Sequence, residues 1–180
     1  HFASALFLTG LFTAPPVLAT LPGDPWSPDF APPPQGRGMD GVVRALTLYQ
    51  NDLIAAGEFN TAGGVPCSRI ARLSGNTWAP LGAGPGYDVH ALINYAGLLY
   101  VGGKTPAIKS WNGTAWGTLG SIPGTLTAWV RTFHNYNGDL LVGVESAPVS
   151  GAYRWDGASW QAMGHLDGPV RRFAEAEEGL

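Results

Sequence analysis

Arg44, His90, Arg131 and Arg171 have the clearest claim to chemistry in this chain, because one short motif delivers all four. They follow the valine in Val43-Arg44-Ala45-Leu46, Val89-His90-Ala91-Leu92, Val130-Arg131-Thr132-Phe133 and Val170-Arg171-Arg172-Phe173, at spacings of 46, 41 and 40 residues. Cationic groups at one repeat position form a row once the repeats stack, and such a row at a channel or rim suits an anionic or polar ligand. The competing reading is structural, with each side chain donating to backbone carbonyls of the next repeat. Other chemistries are poorly served. His134 and His165 share no ligand-like spacing with His90 and no acidic groups cluster beside them, so neither a metal nor another cofactor is expected. Asp29, Asp40, Asp88 and Asp167 fall in connections, where turn and capping roles suffice, and paired-carboxylate hydrolysis has no support. Cys67 is the single cysteine, in Ala62-Gly63-Gly64-Val65-Pro66-Cys67-Ser68. It excludes an intrachain disulfide and a zinc ribbon, and a solvent-accessible or half-buried thiol without a nearby base is expected. Asn112-Gly113-Thr114 matches a glycosylation sequon, although a turn alone accounts for it.

A period near 40 residues implies a supersecondary unit that must stack on copies of itself to bury its apolar face. Two further anchors keep the same order. Ten residues after each valine an apolar run begins and leads into glycine: Leu53-Ile54-Ala55-Ala56-Gly57, Leu99-Tyr100-Val101-Gly102-Gly103 and Leu140-Leu141-Val142-Gly143. A Trp-x-x-Leu/Met-Gly element follows at Trp78, Trp116 and Trp160, with Trp111 and Trp155 before the last two. These tryptophans are expected to fill the core between units, with sugar stacking as the lesser reading. Four strands per unit follow; in the first they are Val43 to Tyr49, Leu53 to Phe59, Arg69 to Leu73 and Thr77 to Leu81. Strands one and two join at Gln50-Asn51-Asp52, Ala96-Gly97 and Asn137-Gly138. Strands three and four join at Ser74-Gly75, Asn112-Gly113 and Asp156-Gly157, where Asn-Gly and Asp-Gly suit type I′ geometry. The first two strands lack polar alternation and are expected to be buried on both faces. The loop Asn60 to Ser68 is the longest connection within the repeats and a candidate binding loop.

Four-stranded antiparallel units of this length are propeller blades, so the expected fold is all-β: three blades, 41–86, 87–127 and 128–168, and part of a fourth, 169–180, of an incomplete β-propeller. The strand with its arginine, the Leu99 to Gly103 run and the Trp-x-x-Leu-Gly element resemble the Kelch pattern of Kelch-type and galactose-oxidase-like β-propellers. Gly57-Glu58-Phe59-x-x-Ala62-Gly63-Gly64 followed by Ile70-Ala71-Arg72 is similar to bacterial secreted proteins with such repeats. The glycine pair of that pattern is intact only at Gly102-Gly103; its counterparts are Ala56-Gly57 and Gly143-Val144. The resemblance implies a fold, since such propellers host many roles. Copper-radical oxidase chemistry needs a tyrosine, a cross-linking cysteine and two histidines, and the loop around Cys67 offers no aromatic neighbour. Trp155-Asp156 looks like a WD dipeptide, but its counterparts are Trp111-Asn112 and Leu73-Ser74.

The 26 glycines and 15 prolines in 180 residues fit short strands and tight turns. A net charge of −3 with 10 Lys+Arg argues against a nucleic-acid partner. Residues 1–19 read as a signal peptide lacking its first residues, with Val17 and Ala19 placed for cleavage after Ala19, and 20–40 as a Pro-rich linker. No membrane span is expected after that segment is removed, and the protein is expected outside the cell or at its surface. The function expected is a binding or interaction scaffold for a glycan or a surface protein, with further blades of the same chain as partners and Arg44, His90, Arg131 and Arg171 as ligand-binding candidates. The alternatives are the blade region of a secreted enzyme, galactose-oxidase-like or hydrolytic, with its active site elsewhere, and a structural repeat of a surface protein.

Overall fold

The computed structural model describes residues 38–124, 126–146, 150–166 and 168–174. The signal-like segment and all but the last residues of the expected linker lie outside the described residues. In chain order the strands are β1 (Val42–Tyr49), β2 (Asp52–Glu58), β3 (Thr61–Ala62), β4 (Val65–Pro66), β5 (Ile70–Ser74) and β6 (Thr77–Pro80). There follow β7 (Val89–Tyr95), β8 (Leu98–Gly103), β9 (Thr105–Trp111) and β10 (Trp116–Ser121), then β11 (Trp129–Tyr136), β12 (Asp139–Glu145), β13 (Gly151–Trp155) and β14 (Trp160–His165). They form three four-stranded antiparallel sheets, β1-β2-β5-β6, β7-β8-β9-β10 and β11-β12-β13-β14, and the small hairpin β3-β4. The fold is thus all-β, with one blade per repeat, as the periodicity implied.

The second strands β2, β8 and β12 are buried along most of their length, which is why their sequences run apolar without alternation. Between the first and second sheets lie Ile54, Ala56, Val89, Leu99, Val101 and Trp111. Between the second and third lie Ile108, Val130, Leu140, Val142, Val144 and Trp160. Burying each such aliphatic side chain contributes about 1.5–3 kcal/mol, and none of it is available to an isolated sheet. One glycine position shows how close the sheets come. A Cβ on Gly102 would lie 2.3 Å from Cγ1 of Val130 in the next sheet, and one on Gly143 would lie 2.7 Å from Cγ1 of Val170. Val170 therefore docks on the third sheet as Val130 docks on the second, although residues 170–174 form no strand.

A tyrosine rail runs across the outer ends of the first strands. The Tyr49 hydroxyl lies 3.3 Å from the carbonyls of Gly97 and Trp111, and the Tyr95 hydroxyl donates to Gly138 at 2.6 Å. Each tyrosine closes six residues after its repeat valine and reaches the first turn of the following sheet. Tyr136 holds the same position on the third sheet and is 51 % exposed. Among the described residues the opposite flank is open as well. Val89 and Val130 are fully buried, whereas their counterpart Val43 is 38 % exposed beside exposed Leu46 and Leu48.

The first turns have the expected paired positive φ, 49° and 79° at Ala96-Gly97 and 50° and 85° at Asn137-Gly138. The second turns differ from the type I′ expectation. Gly113 and Gly157 have positive φ but Asn112 and Asp156 do not. Their side chains take over instead: Asn112 Oδ1 accepts from the Thr114 and Ala115 amides at 2.9 Å, and Asp156 Oδ1 from Ala158 at 2.8 Å and Ser159 at 2.7 Å. The long loop of the first unit is ordered as the β3-β4 hairpin, and Met39 bridges to Ala62. Asp40 Oδ1 accepts from the Asn60 and Thr61 amides at 2.7 and 2.8 Å, which ties residues 38–40 to the β3-β4 hairpin. Cys67 departs from the expected accessible thiol: it is 1 % exposed, packed with Phe59, Ala62 and Ala71. Burial pushes its thiol pKa up, the state of an inert structural cysteine.

Candidate functional site

The register of each first pair of strands breaks at the repeat Arg/His position. Val43 pairs with Gly57 and Ala45 with Ala56; Val89 pairs with Gly103 and Ala91 with Gly102; Val130 pairs with Val144 and Thr132 with Gly143. Arg44, His90 and Arg131 are therefore the extra residues of three equivalent β-bulges. A bulge leaves its residue out of the ladder and re-aims its side chain. Because β1, β7 and β11 are the strands through which neighbouring sheets meet, the three re-aimed side chains fall on one surface. Together with Arg171 they line one open cavity of about 360 Å³, walled otherwise by Val42 and Val43.

A carboxylate fourteen residues after the bulge organises two of the three junctions. Arg44 Nε donates to Glu58 Oε1 at 2.6 Å, and His90 Nε2 of the next sheet lies 3.7 Å from the same oxygen. Arg131 Nε donates to Glu145 Oε2 at 2.7 Å, and Arg171 Nη2 lies 3.7 Å from it. Each acid thus bridges its own bulge residue to the residue at the same repeat position of the following unit. The hydrogen bond from Arg44, with the positive charge of Arg44 and Lys104, holds Glu58 below the usual carboxylate range. In the second sheet both members of the pair are exchanged: His90 replaces the arginine and Lys104 the glutamate.

His90 takes the acceptor role the absent acid leaves open. Its Nδ1 lies 2.9 Å from Arg131 Nη1. A guanidinium only donates, so Nδ1 accepts and the neutral ring carries its proton on Nε2, toward Glu58. The side chain is 6 % exposed, and burial, reinforced by Arg131 and Arg44, lowers its pKa. Trp129 completes the surroundings, with the Arg131 guanidinium 4.5 Å and Lys104 Nζ 5.4 Å from its ring centre and the His90 ring edge-on at 5.6 Å.

The sign of the pH effect follows. Unfolded His90 titrates near 6.5. The folded chain holds the same proton less readily, so this group's contribution is fully present above that value and is lost as pH falls through the lower folded value. The thermal stability of the wild type is expected to fall from about pH 7 to about pH 5 more than that of His90→Gln. Parallel curves for the two proteins would contradict the neutral, Arg131-bonded imidazole.

The remaining candidates separate from this cluster. Asp88 accepts Arg69 Nε at 2.7 Å, and Arg69, held at φ 67°, stitches the long loop to the second sheet through Phe59 and Asn60. These two line a separate cavity of about 390 Å³ with Tyr87, Lys104 and Ser68. His134 stacks on Phe173 with ring centres 5.7 Å apart. Among the described residues no three His, Cys, Asp or Glu side chains are placed to hold a metal ion. Asp29 and Asp167 lie outside the described residues. Sequence reasoning missed Glu58, Glu145 and Lys104, although their constant offset from Arg44, Arg131 and His90 is a readable signal. The expected donation to backbone carbonyls is replaced by side-chain carboxylates.

No protein-family model and no curated protein matches the chain. Solved structures do, among them the crystal structure of the computationally designed Ika8 protein, at a TM-score of 0.54 and 15 % identity over 77 % of this chain. The chain spans 42 % of that protein's length. At this identity the likeness is one of fold alone: blade-like antiparallel sheets stacked in sequence.

Proposed function

We propose that the chain is a Kelch-like β-propeller repeat protein of the exported type and serves as a binding or interaction scaffold, with a glycan or a surface protein as ligand. One observation carries this reading. Bulges repeated in three sheets, together with Val170-Arg171, deliver Arg44, His90, Arg131 and Arg171 to one open cavity instead of dispersing them. A packing role alone would not leave Arg44 40 % and Arg171 71 % exposed at the side chain. His90, whose Nδ1 is already occupied by Arg131, is poorly placed to act as a general base, which favours binding over catalysis.

The test is glycan-array and surface-protein binding by the chain with Arg44 and Arg131 each replaced by glutamine, after circular dichroism shows the sheets intact. Binding is expected to fall at least about tenfold, the scale of one lost charge-assisted hydrogen bond. Undiminished binding removes this cavity from the site.

A further inference from the structure

The chemical class of the ligand can be read from the charges that face the cavity. Among the described residues its lining includes three arginines, one neutral histidine and two valines, and no carboxylate. Glu58 and Glu145 stand behind the arginines and bind their Nε atoms or, for Arg171, one terminal nitrogen. Among the described residues both terminal nitrogens of Arg44 and Nη2 of Arg131 carry no hydrogen bond, so these arginines of the cavity lining keep donors that no described residue engages. The repeat adds a second, independent indication. The first and third sheets each supply an acid at the position fourteen residues after the bulge, and the second supplies Lys104. The row therefore holds Arg44, Lys104, Arg131 and Arg171 against Glu58 and Glu145, a local cationic excess on a chain whose net charge is −3.

We infer that this cavity binds the oxyanion of a sugar-sized acidic molecule, a uronic acid or a sugar sulfate. The inference rests on the binding reading above and specifies its ligand. A volume of about 360 Å³ suits one sugar ring. The paired nitrogens of a guanidinium match a carboxylate or sulfate, and the exposed Val42 and Val43 wall can meet the carbon face of the ring. Lys104 acts at a distance as the residue that keeps the third carboxylate out. Replacing it with glutamate restores the repeat pattern: the new acid would bridge His90 and Arg131 as Glu58 bridges Arg44 and His90.

The experiment titrates the full chain with glucuronate, inorganic sulfate, glucose and tetraglutamate, followed by calorimetry, with Arg44→Gln and Lys104→Glu as variants. Glucuronate or sulfate is expected to bind at least about tenfold tighter than glucose, to weaken as salt rises, and to weaken at least about tenfold in both variants, while Lys104→Glu unfolds at no lower temperature than the wild type. Which of the two anions binds tighter distinguishes a carboxylate from a sulfate ligand. Glucose binding as well as the anions, tetraglutamate binding tighter than either, or anion binding that both variants leave intact would overturn the inference. A neutral glycan lost with Arg44→Gln would overturn the oxyanion while leaving the scaffold reading in place. Absence of binding by any probe here or on the arrays would remove both.

Discussion

Trp160→Ala is expected to cost about 3–5 kcal/mol in urea unfolding, and Trp78→Ala clearly less, although the two residues hold one repeat position. Trp160 is 4 % exposed and packs among Ile108, Leu140, Tyr153 and the Trp155 ring, whose centre is 5.2 Å away. Its removal leaves a void that the flanking sheets cannot close without moving. Trp78 is half-buried against Cys67 and Ala71, and lines an open groove with Gly63 and Val65. Trp116 stands between them: its ring lies 5.1 Å from Trp111, and its Nε1 donates to the Leu81 carbonyl, just after β6, at 2.8 Å. Trp160 Nε1 is buried without an acceptor among the described residues, so Trp160→Phe loses less than the truncation because it also removes an unmatched donor. Equal losses for Trp78→Ala and Trp160→Ala would show that these residues do not report inter-sheet packing.

That gradation also marks what a sequence of this kind discloses. Repeat position is visible because the same local pattern recurs, and it was enough to place Val43, Val89 and Val130 on equivalent strands and Val170 at the matching docking position, although no strand forms there. Burial is set by what lies across from a position, and Val43 differs from Val89 in having no sheet packed over it among the described residues. The bulge at Arg44, His90 and Arg131 left no trace in the spacing, because the extra residue occurs in every copy and so shifts nothing between them. The tyrosine rail did leave a trace, one tyrosine six residues after the valine in Tyr49, Tyr95 and Tyr136, but its acceptors are turn carbonyls of another sheet. Asn112 and Asp156 show a contest between two local rules: the preference of Asn-Gly and Asp-Gly for type I′ turns yields to side-chain capping of the following amides.

The loop Asn60 to Ser68 was legible as unusual in length and opaque in structure, and Phe59 explains why. It is fully buried, the largest such side chain among the described residues, at the point where the chain leaves β2. Ala62, Cys67 and Ala71 close around it, with Met39, Val65 and Trp78 outside them, so a stretch rich in glycine and proline becomes a small core of its own. Its carbonyl accepts the Arg69 amide at 3.0 Å and Arg69 Nη1 at 3.3 Å, which fastens the far end of the loop. Phe59→Ala is expected to cost about 3–5 kcal/mol, and the loss should fall first on the β3-β4 hairpin, because the cores between the sheets do not include this side chain. Cys67 reports the outcome. In the wild type its buried thiol should react slowly with a thiol reagent; in Phe59→Ala it should react much faster under conditions where far-ultraviolet circular dichroism still shows the three sheets folded. Equal reactivity in both proteins would mean that Phe59 does not hold the hairpin down. Loss of all three sheets together would mean that the hairpin core and the inter-sheet cores unfold as one unit.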